Sequence, residues 1–167
     1  MSRGFAARWA EDQMTAIFRQ VALHDFETRV NLAVMNDEEP ESDTLGEMWL
    51  DQQQRLYGPA VQLEDGYRQW WSYLDNFFFA PGSRYAYAYG QLAAAGLLAQ
   101  YQDSPAVFCR RYLGLLQAGG TRRPAELLES VGLCVAGNAG WLPGMLAVRQ
   151  QAGSVFDQPA HTAELPG

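Results

Sequence analysis

The sequence predicts an all-α protein, a single bundle of six or seven helices over residues 1–156 followed by a tail at 157–167. Three observations lead there. The stretch from Phe5 to Met35 contains no Pro or Gly and repeats apolar residues at helical spacing. No apolar segment alternates with period two between turn signals as a strand would, and no internal repeat is present.

The elements follow in order. Phe5, Trp9, Phe18, Val21, Phe26, Val30 and Val34 define one long amphipathic helix, ended by the acidic, Pro-containing connector Asn36 to Asp43. Thr44-Leu-Gly-Glu47 spells a capping box, in which hydroxyl and carboxylate exchange bonds with free backbone amides, and predicts a helix to about Tyr57 that stops at Gly58-Pro59. A third helix is predicted from about Glu64 to Phe78, before the break Ala80-Pro-Gly-Ser83. Tyr85, Tyr87 and Tyr89 alternate with alanines, but the alanine-rich GQLAAAGLLAQ after them makes the segment a helix start. Ser104-Pro105 supplies the cap and first residue of a further helix carrying Phe108 and Leu115, read as core, and ending at Gly119-Gly120. Thr121 is expected to cap a short helix over Pro124 to Ser130, and a last helix starts near Asn138 or Gly140 and reaches Phe156.

Composition narrows the function. With 19 acidic against 12 basic residues the formal charge is −7, which disfavours nucleic acid and anionic membranes as partners. Every basic residue is Arg, so Schiff-base lysines, P-loop lysines and Ser-Lys dyads are excluded. The N-terminus lacks the apolar region of a signal peptide and no run is long enough to span a membrane, so a cytoplasmic location is expected. Cys109 and Cys134 are too few for a disulfide framework and read as reduced core thiols.

Few residues could carry acid–base or metal chemistry. His24 and Glu27 lie three apart on one helical face, a spacing found in carboxylate metal sites, but no second pair completes a site. A histidine salt-linked to its own helix is the favoured reading, and no metal and no cofactor are expected. There is no HExxH, no GxSxG and no glycine-rich phosphate loop. The aromatic residues are concentrated instead, with Trp70, Trp71, Tyr73, Phe77, Phe78, Phe79, Tyr85, Tyr87 and Tyr89 around one Pro-Gly break. Core packing and a ligand cleft account for this equally well, because tyrosines at consecutive alternating positions cannot all enter one core. Tyr85, Tyr87 and Tyr89 are the ligand-binding candidates that this concentration supplies.

Phe18-Arg-Gln20 followed by Asp25-Phe-Glu27 resembles a helix of the M3 metallopeptidases, in particular the oligoendopeptidase F branch. Tyr57-Gly58, Trp71, Tyr85-Ala-Tyr-Ala-Tyr-Gly-Gln-Leu92, Tyr112 to Gly120 and Pro124 to Leu128 follow in the family's order. The resemblance implies the fold of the family's C-terminal helical portion. It also implies that the zinc site, two histidines of HExxH and a glutamate, lies in a part of the family pattern that this sequence does not contain. Within the matching part, Asn76 stands where the family carries a substrate-binding histidine and Ser83 where it carries the first tyrosine, while Tyr85 and Tyr87 are retained. The resemblance implies a cleft with Asn76 and Ala80 to Ser83 on one side and Tyr85, Tyr87 and Tyr89 on the other, and makes Glu27, Asn76, Ser83 and Arg84 further ligand-binding candidates. Losing such transition-state donors costs orders of magnitude in rate. The leading expectation is therefore a metal-free, non-peptidase domain of M3 type whose tyrosine-rich cleft binds a peptide, a small molecule or a partner protein. A metal-independent biosynthetic enzyme of cyclase, isomerase or dehydratase type is the second reading. The third is one half of a split oligoendopeptidase, associating with itself or with a zinc-bearing partner chain.

Overall fold

The computed structural model describes residues 3–156, which are all-α: eight α-helices joined by 3-10 and π turns, with no strand among the described residues. The predicted tail at 157–167 lies outside them. The chain forms two compact units, one over Met14–Gly90 and the other from the residues up to Gln13 and from Gln91 onward.

The Met14–Gly90 unit is built on α2 (Gln20–Met35), α3 (Ser42–Tyr57), a 3-10 segment at Asp65–Tyr73 and the single turn α4 (Asn76–Phe79). Its core is Leu23, Phe26 and Trp49, with Val30, Met48, Leu50, Tyr67, Trp71, Leu74 and Phe77 packed around it. Phe26 meets Trp49 edge to face at 5.3 Å, the geometry that ring quadrupoles favour. At the edge of the α2 and α3 contact, Arg29 Nη1 donates to Asp51 Oδ2 at 2.7 Å.

Three expectations are corrected here. The long first helix is divided into α1 (Arg3–Met14) and α2 by a π turn at Thr15–Arg19. The wider turn shifts the apolar register, so Ile17 and Phe26 are buried whereas Phe18, Val21 and Val34 face outward. The capping box at Thr44 is not used. Helix α3 starts earlier, at Ser42, with extended Glu41 at the cap and the Leu45 N–H on the Glu41 carbonyl, so Thr44 is already inside the first turn. The third helix is a 3-10 segment that ends at extended Leu74, followed by α4. Trp70, Trp71, Tyr73, Phe77, Phe78 and Phe79 are too bulky for one narrow apolar stripe, and Trp71 and Phe77 turn inward while Trp70, Tyr73, Phe78 and Phe79 remain exposed.

In the second unit, α5 (Tyr85–Asp103) enters from the first, and α6 (Pro105–Ala118), α7 (Pro124–Ser130) and α8 (Leu142–Phe156) follow. Its buried apolar residues include Ala93, Leu127, Leu128, Val131, Leu133 and Val148. Thr121 does not cap α7, whose cap position is Arg123; its hydroxyl donates back to the Ala118 carbonyl at 2.8 Å and closes α6. Helix α6 buries no residue, so Phe108 and Leu115 are only half-buried rather than core. Phe108 stacks on Tyr112 at 5.3 Å instead, one turn along the same helix. Cys109 and Cys134 are free but exposed, which corrects their reading as core thiols. No helix among the described residues is long and apolar enough to cross a membrane.

Candidate functional site

The most unusual chemistry lies on the inner face of α2. Gln20, His24 and Glu27, at spacings of four and three, share that face. Glu27 is 7% exposed, and its Oε1 accepts the Gly82 backbone N–H at 2.6 Å. Gly82 holds φ +73°, a left-handed conformation that a side chain resists, and this turn brings its amide to the carboxylate. The other carboxylate oxygen, Oε2, is buried with no hydrogen-bond partner.

Arg84, 8% exposed, comes from the turn that opens α5. Its Nη1 donates to Gln20 Oε1 at 3.3 Å, its guanidinium lies 5.4 Å from the centre of the Phe77 ring, and its Nε is buried without a partner. Burial pushes this guanidinium below the ordinary arginine value; Tyr87, Glu27 and Asp75 pull it back, and Arg19 adds to the depression. His24 is half-buried with Nδ1 unbonded, and its ring meets Tyr85 edge to face at 5.8 Å. The salt link between His24 and its own helix is therefore replaced by an aromatic contact. Three polar side chains with unfilled bonding capacity are an uncommon expense in a folded interior, since each such group costs about 1–3 kcal/mol.

The remaining sequence-predicted residues are placed as follows. Tyr85 and Tyr87 are 56% and 54% exposed. Tyr89 is half-buried, and burial, aided by Tyr85, raises its hydroxyl above the usual tyrosine value. Asn76 begins α4 and its carbonyl accepts the Ala80 N–H; Ser83 turns its hydroxyl onto the Ala80 carbonyl at 2.7 Å. Both are engaged in local turns. The structure thus joins Glu27 and Arg84 in one polar group, with Tyr85 attached through His24.

Beside Glu27 lies a hollow of about 150 Å3 whose walls include Phe26, Val30, Trp71, Phe77 and Phe78. Of the candidates only Glu27 lines it. Trp71, Phe77 and Phe78 of this wall belong to the aromatic concentration noted in the sequence, whereas Gln20 went unrecognised there, its spacing to His24 and Glu27 being the signal available. Among the described residues no group of three or more His, Cys, Asp or Glu is placed to hold a metal ion.

The chain resembles known proteins over about seven-tenths of its length. Over 127 residues, 74% of this chain, it is 23% identical to a protein named oligoendopeptidase F homolog from Borreliella burgdorferi, of which the match covers 21%. Over 119 residues, 70% of the chain, it is 26% identical to oligopeptidase PepF of Bacillus subtilis, of which 17% is covered. The chain is distantly similar to oligoendopeptidase F. It spans about a fifth of the length of these curated relatives. No protein-family model and no solved structure matches it.

Proposed function

We propose that this chain is a helical domain of oligoendopeptidase F type that binds a ligand and does not itself cleave peptides. The similarity supports the scaffold, and a scaffold does not bring its family's activity without the site. The observation that carries the binding reading is the polar group of Glu27 and Arg84, each more than nine-tenths buried and each with an unbonded polar atom. Arg84 also opens the turn that presents the exposed Tyr85 and Tyr87. Half-exposed phenol rings suit peptide or flat apolar ligands, for which they supply area and one hydroxyl each.

Fluorescence anisotropy of a labelled aromatic pentapeptide provides the test. Tyr85→Phe and Tyr87→Phe should each weaken binding up to roughly tenfold, the worth of one hydrogen bond, with little change in melting temperature because both rings are more than half exposed. Strong destabilisation with unaltered binding would make the hydroxyls structural and defeat the reading.

A second reading, association with a partner chain, is favoured by the exposed apolar residues Phe18 in the π turn and Val21, Leu32 and Met35 on α2. The biosynthetic-enzyme reading would draw on Tyr85, Tyr87, Asn76, Arg84 and Glu27 as donors, acceptors and acid or base groups, and no specific observation favours it.

A further inference from the structure

We propose that this chain associates with itself head to tail, the outer stripe of α6 in one copy receiving the last turn of α2, and the acidic segment after it, from a second copy. The inference names the partner for the association reading and does not rest on ligand binding, so failure of the pentapeptide experiment would leave it standing. Three observations carry it.

The first is the outer side of α6. Cys109, Tyr112, Leu113 and Leu116 stand at i, i+3, i+4 and i+7, which places them on one helix face, and all four are exposed. Leu113 is 59% exposed and α6 buries no residue, so this apolar stripe has no cover within the single chain. The second is the end of α2. Leu32 and Met35, three apart in its last turn, form an apolar tip on which Met35 is 79% exposed.

The third is charge, which says which surface meets which. Arg110 and Arg111 follow Cys109 on α6 and Arg122 lies just past its end; all three are exposed and, among the described residues, outside every ion pair. Asp37, Glu38, Glu39 and Glu41 come directly after Met35 and are equally exposed and unpaired. The formal excess of −7 lies wholly within Met14–Gly90, whereas the rest of the chain has as many arginines as acidic residues. Pairing α6 with α6 would set arginines against arginines, and pairing the α2 tips would set carboxylates against carboxylates. Only the mixed contact joins two apolar surfaces of opposite charge. An anionic membrane on α6 is opposed by the charge of the whole chain. Because the two faces differ, the contact is heterologous, and it closes a ring or extends as a chain instead of stopping at a dimer.

Sedimentation velocity of the full chain tests the contact. At about 50 mM NaCl, assemblies larger than a dimer should grow with concentration, each contact having a Kd of about 10 μM or tighter, and about 500 mM NaCl should weaken it roughly fivefold. Leu113→Asp spoils the α6 stripe and Met35→Asp the α2 tip; both side chains are exposed, so circular dichroism should show the fold intact. Each variant alone should associate at least about tenfold more weakly than the parent. Mixed in equal amounts, each supplies the face that the other lacks, so the two should form a heterodimer and nothing larger. A parent chain that stays monomeric at about 500 μM would overturn the proposal. So would a mixture that remains monomeric, which would give these faces to an unrelated partner, or association abolished by one variant and untouched by the other, which would make one face pair with itself.

Discussion

Replacing Trp49 by alanine is expected to lower the stability of the Met14–Gly90 unit by about 3–5 kcal/mol, enough to unfold a marginal domain. Trp49 is 2% exposed and lies at the centre of the core, edge-on to Phe26 and 5.9 Å from the Tyr67 ring. Its removal takes the largest ring out of the packing of α2, α3 and the 3-10 segment, and the remaining side chains are held by two helices that cannot close the gap. Trp49→Phe should cost much less, because the lost volume is partly offset by removing an indole N–H that is buried without a partner. Trp70, only three residues from the equally aromatic Tyr67, is exposed, and Trp70→Ala should stay within about 1 kcal/mol of the parent. Urea denaturation followed by circular dichroism checks all three. A small loss for Trp49→Ala would mean that the core is elsewhere.

The second large effect is expected at Gly144 in the other unit. A Cβ built there would collide with the Leu92 carbonyl, and Gly96, one turn further along α5, has the Gly144 amide nitrogen 3.7 Å from its own Cβ position. Helices α5 and α8 therefore touch backbone to backbone. A methyl group at Gly144 meets main chain, which cannot rotate away as a flexible side chain would, so Gly144→Ala should cost about 3 kcal/mol or more by forcing the helices apart. Gly114 provides the control. Nothing lies within 4 Å of its Cβ position in α6, and Gly114→Ala should be neutral or stabilise by up to about 1 kcal/mol through helix propensity. The same denaturation experiment distinguishes them, and comparable stabilities for the two variants would contradict the close approach.

How much of this was legible follows from the kind of interaction involved. Helix ends set by local chemistry were readable: Gly58 and Gly119 end α3 and α6 with positive φ, and Pro105 and Pro124 open α6 and α7. The π turn at Thr15–Arg19 was not, because it carries no Pro or Gly to mark it. Glu27 and Arg84 were legible as polar residues near an aromatic segment. Their burial was not, since the bond from the Gly82 amide to Glu27 joins residues 55 apart in sequence. Phe108 and Leu115 show the opposite difficulty: their spacing reads as a core stripe, yet α6 buries no residue and both are only half-buried.

The claim that this scaffold binds without cleaving is tested most directly by incubating the purified chain with one equivalent of zinc and an internally quenched oligopeptide. The sequence contains no HExxH to activate a water on the metal, and the Ser83 hydroxyl is bonded to the Ala80 carbonyl. The predicted result is hydrolysis no faster than with zinc in buffer. Turnover that copurifies with the chain, requires bound zinc and disappears with a chelator would contradict it.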